Sequence, residues 1–537
     1  MSLQVKYVDV PLGAKEVASA SASACQRFGS EQQLIAGTVD MPWATLEPDS
    51  WKLDGSRVIL PAFPENIGWW SLHRSGEDGR FVHIPTIQIF LPQAYTATGI
   101  TFDFWASLGH WCSELTVVWY KDGAVLREVT AFPDSAHWVL DQLVEDFDRV
   151  DIRLLATNCP GHFAKIQQIQ IGQIAIFEAD ELVQVRLLQE IDPSMCELSV
   201  DTLTVTVRDR KNRVIFPQKN QSVQLYRDGQ LLASHYVSDF SRQGQRDYQF
   251  RCKSTIGRLE DLYLGGRVLN NAGGLLAELL PDIPYQIDSE LAWVELNGYL
   301  PICTRREALQ QLAFAIGAVV TTRADGTICL RLPESEQSGS FVDDRIFMGA
   351  KVTQKPRIAQ VQLLAHGYYL GEKREVLLNE ETVSGENVLY LFSQPHYEYE
   401  IVGGILTGWG ENWVTITADG PVTLTALNYI HTTTAYVKTN PKATPEEQGN
   451  TVVIKNATLV GKWIADGVLQ RLYNHYTQRN LLQQQVVLSG QQIGQLVRSA
   501  NPWSTDTEGH LVSMESDFTG TGQTAQITIL GKEVPRN

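Results

Sequence analysis

The chain has 537 residues and a mass of 60.0 kDa, with 43% hydrophobic residues and 41 glycines, enough to fill the cores of about three or four domains. Lys and Arg number 44 against 61 Asp and Glu, a formal charge of −17 with no dense basic run, which excludes a general nucleic-acid binder. No apolar run is long enough to span a membrane, so membrane insertion is not expected, and the N-terminus lacks the hydrophobic run of a secretory signal, so synthesis in a cytoplasm is expected.

Residues 1–178 are aromatic and acidic. Eight of the 13 Trp lie before residue 140, and 12 basic residues face 21 acidic ones. The pattern is that of strands. A run at 100–107 is followed by one at 115–129 that turns tightly at Asp122-Gly123, and Val150, Ile152 and Leu154 share one face of a further strand. Many strands, many turns and little helical period predict a β-sandwich over 1–178.

Residues 179–264 read as a second β domain, a small barrel. Leu203, Val205 and Val207 alternate with Thr202, Thr204 and Thr206, and a hairpin turns at Asp228-Gly229. A small α+β unit follows over 265–338. Thr304 and Glu307 form a capping box, Ala308, Leu309, Leu312, Ala313 and Ile316 make a helical stripe ending at Gly317, and a hairpin turns at Asp325-Gly326. The charged segment "PESEQSGSFVDD" reads as a linker. Residues 339–537 are again β-rich, with one amphipathic helix marked by Ile464, Val468, Leu472 and Tyr476 and a final strand aligning Ala525, Ile527 and Ile529. The fold class predicted is therefore mainly β and multidomain: an N-terminal β-sandwich, small β-barrel domains and a small α+β insert.

The chemistry is sparse. Nucleophile-elbow, phosphate-loop, zinc-protease and EF-hand motifs are all absent, and the seven scattered cysteines read as buried thiols with no zinc spacing. The glycine-rich "YLGGRVLNNAGG" lacks phosphate-binding spacing and reads as a loop. His73 and His83 could meet across a hairpin, but two histidines alone do not make a metal site. Asp141, Glu145, Asp146, Asp148 and Asp151 cluster in sequence; a solvated face, a calcium loop and a catalytic pair all remain open. Trp69 and Trp70 point to opposite faces if extended, which leaves either core packing or a sugar-stacking role. No catalytic, cofactor or metal residue is assigned, and no cofactor is expected.

Three strings carry a resemblance: "YLPICTRREALQQLAFAIGAVVTTRADGTICL" at 299–330, "WATLEPDSWKLDGSRVILP" at 43–61, and the closing "GQLVRSANPWSTDTEGHLVSMESDFTG" with "AQITILG". Their order resembles that of bacteriophage and prophage tail-hub and baseplate proteins, and residues 1–178 resemble a galactose-binding-like jelly roll. The resemblance implies a non-enzymatic structural protein of the virion tail that joins the tail tube to peripheral components. Its implied partners are further copies of itself, as a trimer, other tail and baseplate proteins, and a surface glycan at the N-terminal domain. The tryptophan-rich N-terminal domain departs from a plain hub, which keeps two alternatives: a carbohydrate-binding cell-surface adhesion protein, and a glycoside hydrolase or other carbohydrate-active enzyme.

Overall fold

In the computed structural model strand covers 55% of the chain and helix 11%, so the protein is a mainly β, multi-sheet molecule. The structure describes the chain apart from residues 1, 10–13, 27–30, 39, 53, 60–66, 211–214, 216, 243, 245, 267, 269–271, 297, 342–344, 520–522 and 537.

After β1 (Leu3–Asp9), the strands β2 (Trp69–Arg74), β3 (Thr86–Asp103), β4 (Cys112–Lys121), β5 (Ala124–Ala131), β6 (His137–Thr157), β7 (Phe163–Ile166) and β8 (Gln168–Ile171) build a β-sandwich. Its larger sheet runs β8-β3-β6-β4-β5, with Ser19–Ala22 also on β3, and β2 pairs with β7 in a smaller one. Asp122 and Gly123, at φ +48° and +81°, turn β4 into β5 with the left-handed pair a two-residue hairpin requires. Val150, Ile152 and Leu154 are fully buried, as their alternation predicts, in one core with Ile87, Ile89, Leu115 and Val117. β1 itself lies outside the sandwich. It pairs antiparallel with β9 (Gln173–Glu178), Gln4 opposite Glu178 and Asp9 opposite Gln173. The sandwich strands thus leave from and return to two adjacent strands of another sheet.

That sheet continues with β10 (Leu182–Glu190), β11 (Thr202–Arg208), β12 (Ser222–Arg227), β13 (Gln230–Arg242) and β14 (Asp247–Lys253), in the order β9-β1-β12-β13-β14-β11-β10. Leu203, Val205 and Val207 are fully buried, with the threonines on the wetter face. The α+β segment holds α1 (Ala272–Leu279), α2 (Arg305–Ile316), β15 (Val319–Thr322) and β16 (Ile328–Arg331). The capping box forms: Glu307 N–H donates to Thr304 Oγ1 at 3.2 Å, and Thr304 N–H donates to the Glu307 carboxylate at 2.8 Å. The predicted stripe of α2 is buried, and Gly317 at φ +83° ends the helix.

The remainder comprises β17 (Gly339–Phe341), β18 (Gln360–Leu391), β19 (His396–Val402), β20 (Ile405–Trp409), β21 (Trp413–Thr439), β22 (Thr451–Ile454), α3 (Lys462–Tyr476), β23 (Asn480–Val487), β24 (Leu496–Ala500), β25 (Asp506–Asp517) and β26 (Thr524–Val534). Ala465, Val468 and Leu472 of α3 are buried in one cluster with α1, α2 and the start of β18, at Val361 and Leu363. Helical stripes from both sides of the linker therefore share a core.

Two expectations are corrected. No closed barrel forms among the described residues, because the edge of β10 that closure would need is taken by β25, with Leu188 opposite Glu515. The sheet runs on through β26 and β23 to Lys351–Gln354 and stays open. The linker is also partly structured: β17 pairs parallel with β24, Phe341 is buried, and Glu334 accepts the Leu496 N–H at 3.0 Å. A phenylalanine that can enter the adjacent core outweighs the polar character around it. Residues 342–344 of that segment lie outside the described residues.

Candidate functional site

The two adjacent tryptophans do point to opposite faces, and both faces are cores. Trp69 joins the main sandwich core, while Trp70 joins a second cluster with Trp43, Ile67 and Trp105. Indole N–H groups find carbonyls there: Trp70 Nε1 donates to Ile67 O at 3.0 Å, and Trp105 Nε1 to Met41 O at 2.6 Å. These rings hold loops in place and present no face to a ligand.

Beneath them is a buried polar group that sequence reasoning missed. Lys165 Nζ lies 2.6 Å from Glu47 Oε1, both side chains fully buried, and 4.8 Å from the centre of the Trp70 ring. It also lies 3.0 Å from His110 Nδ1. Burial first, and the Lys165 ammonium second, push the His110 imidazole down to about 3, so the neutral ring accepts this bond. Phe163 N–H and Thr45 Oγ1 complete the carboxylate at 2.8 and 2.7 Å. Loop 45–47, His110 and β7 are thereby tied at one end of the sandwich. The 118-residue separation of Glu47 from Lys165 leaves no local signal for the pair.

The other candidates are dispersed by the fold. His73 and His83 meet, with ring centroids 4.7 Å apart, but no group of three metal-ligating side chains occurs among the described residues. Asp146 bonds Lys121, Asp148 accepts the Asp122 N–H at 2.7 Å, and Asp151 pairs with Arg149 at 3.0 Å. Asp146, Asp148 and Asp151 lie along β6, each carboxylate turned to a different neighbour. All seven cysteines are outside disulfides; Cys112, Cys252 and Cys329 are buried and the rest partly so. Of the glycine-rich segment, the end forms the start of α1, while Arg267 and residues 269–271 lie outside the described residues.

An exposed apolar surface lies on the sheet β19-β21-β18-β22, with β20 also on β21. β18 and β21 run 32 and 27 residues and pair with each other along nearly their whole length. β22 covers the far edge of β18 only at Gln360–Leu363. Val383, Val414, Ile416, Val422 and Leu424 bury one patch, yet Leu370, Val376, Val402 and Ile405 are 60–73% exposed. Long strands with an open edge and apolar side chains in water are a surface on which other chains pair.

No family model matches the chain, and no curated protein matches it. Its structural neighbours include phage and prophage tail proteins, a phage baseplate and a galactose-binding module. The 43 kDa tail protein of prophage MuSo2 from Shewanella oneidensis aligns at 13% identity and TM-score 0.41, over 66% of this chain and 96% of that one. The tail protein from Neisseria meningitidis MC58 aligns at 12% identity and TM-score 0.42, over 67% and 94%. A family 32 carbohydrate-binding module of C. perfringens NanJ, solved with galactose, aligns at 11% identity and TM-score 0.21, over 31% of this chain and 98% of the module. Likeness at these scores assigns no activity.

Proposed function

We propose that this chain is a non-catalytic structural component of a phage or prophage tail, located at the hub or baseplate of the virion and made in the host cytoplasm. It closes a ring of three copies that joins the tail tube to peripheral components. The N-terminal sandwich faces outward and contacts a surface glycan or a docking partner. The chain divides into an N-terminal unit, 1–178, which holds the sandwich and whose first and last strands, β1 and β9, join the sheet of the next unit, a first hub β domain, 179–264, then a small α+β domain, 265–338, and a C-terminal β-rich domain, 339–537.

The observation that carries this reading is the long sheet of β18 and β21. A 32-residue strand whose far edge is covered over four residues, with Leu370 and Val376 in water, is costly in a monomer and is satisfied by a neighbouring copy. The three sequence strings that resemble tail-hub proteins, at 43–61, 299–330 and 494–531, add support.

Light scattering on the purified full chain tests the assembly. The expected particle mass is three times the 60.0 kDa of the chain. Leu370→Glu combined with Val376→Glu places charge on the exposed sheet and is expected to return the monomer without loss of β circular dichroism. A wild-type chain that stays monomeric contradicts the self-assembly.

A further inference from the structure

A cleft of about 510 Å³ opens between β19, β20, the start of β21 and the loop at Leu264–Gly266, away from the sandwich. Its walls are the rings of Trp409, Trp413, Tyr397 and Tyr399, and its polar groups include His396 and Glu398. Trp409 is 64% exposed. Glycines open the platform: a Cβ on Gly410 would meet Trp413 Nε1 at 2.2 Å, and one on Gly408 would meet the same ring at 3.3 Å. Gly265 and Gly266, from the glycine-rich segment that sequence reasoning assigned to a loop, line the facing wall.

The polar groups are set for a hydroxyl-bearing ligand. Glu398 sits where β19 breaks register against β21, between Tyr397 and Glu400, and holds φ at +51°, a left-handed backbone that a non-glycine residue adopts at a cost. Its side chain is exposed and has no partner among the described residues. His396 is 5% exposed, yet its Nδ1 has no hydrogen-bond partner among the described residues. Burial holds that imidazole below its ordinary range, so it is neutral at pH 7; its Nε2 lies 3.8 Å from the Glu375 carboxylate, which leaves Nδ1 for a ligand hydroxyl. Glu411, the other carboxylate, already accepts the Val268 N–H at 2.5 Å.

We infer that this cleft is a saccharide subsite for a neutral hexopyranose, its CH face stacked on Trp409 and its hydroxyls bonded to Glu398 and His396. An open aromatic platform of this volume suits a flat sugar face, and rings with a few polar groups fix its orientation. The carboxylates and the −17 charge of the chain repel anionic sugars. One available carboxylate on an open platform, instead of a closed box of rings, distinguishes it from a cage for an ammonium ion. The inference does not rest on the tail reading and places sugar contact outside the N-terminal domain.

Saturation-transfer NMR on the full chain with galactose, glucose, mannose and N-acetylglucosamine tests it, with tetramethylammonium as the cationic probe. At least one sugar is expected to bind at millimolar concentration. Trp409→Ala and Glu398→Gln, both at exposed positions, each weaken it by at least about tenfold, while Trp51→Ala on the N-terminal sandwich leaves it unchanged. Absence of binding by all four sugars overturns the inference. So does binding that survives Trp409→Ala and Glu398→Gln, binding abolished by Trp51→Ala, or displacement of the sugar by tetramethylammonium.

Discussion

Replacing Lys165 by Met lowers the unfolding temperature of the N-terminal sandwich within the full chain by on the order of 10 °C. The substitution strands the Glu47 carboxylate in a site where both partners are fully buried, and an uncompensated buried charge costs about 3–5 kcal/mol. Phe163 N–H and Thr45 Oγ1 still bond that carboxylate, but neither carries a charge. Adding Glu47→Gln to Lys165→Met restores much of the loss, because the double variant buries no charge and the amide oxygen still accepts one of those bonds. Differential scanning calorimetry of the three proteins measures it. Equal melting of wild type and Lys165→Met would show that the pair holds nothing together.

A pH-dependent effect is expected at Asp201, which is buried between β10 and β11 and accepts the Glu190 N–H at 3.3 Å. Burial raises its carboxyl from 3.8 up to about 7, outweighing the stabilising bond from Glu190. Between about pH 4 and 7 the folded chain holds a proton that the unfolded chain has lost. Its contribution is therefore greatest below the unfolded value and is lost as pH rises through about 7. Asp201→Asn keeps the acceptor and cannot ionise. The variant is expected to match wild type near pH 4 and to exceed it by roughly 2–4 kcal/mol at pH 8, read as a gap in denaturation midpoint that widens with pH. A gap independent of pH would mean that Asp201 ionises normally in the fold.

Features decided within a few residues were legible in the sequence. The hairpins at Asp122-Gly123 and Asp228-Gly229 form because each turn needs only its own pair of residues in left-handed conformations, the longer turn at Asp325-Gly326 needs only Gly326 there, and the Thr304 cap and the α2 and α3 stripes follow from helical spacing. Pairings between distant residues were not legible. β10 meets β25 across more than 300 residues, so a local pattern that suits a barrel opens into a longer sheet. Trp69 and Trp70 show the limit of periodicity: alternation places them on opposite faces, but only the tertiary fold puts a core on each. The aromatic cleft was hidden for the same reason, since its glycine wall and its tryptophans lie more than 130 residues apart. The β-rich character of 339–537 was readable, whereas the length of β18 and β21 and their exposed edge depend on pairing with each other and on where β22 stops.

Under the proposed function the chain builds the axial end of a tail by self-association through its long-stranded sheet. Cryo-electron microscopy of native tails from the producing strain tests it most directly. Three copies are expected around the tail axis, with β18 and β21 at the contacts between copies and the N-terminal sandwich outward. A single copy attached at the periphery, or tails that lack the protein, would contradict it.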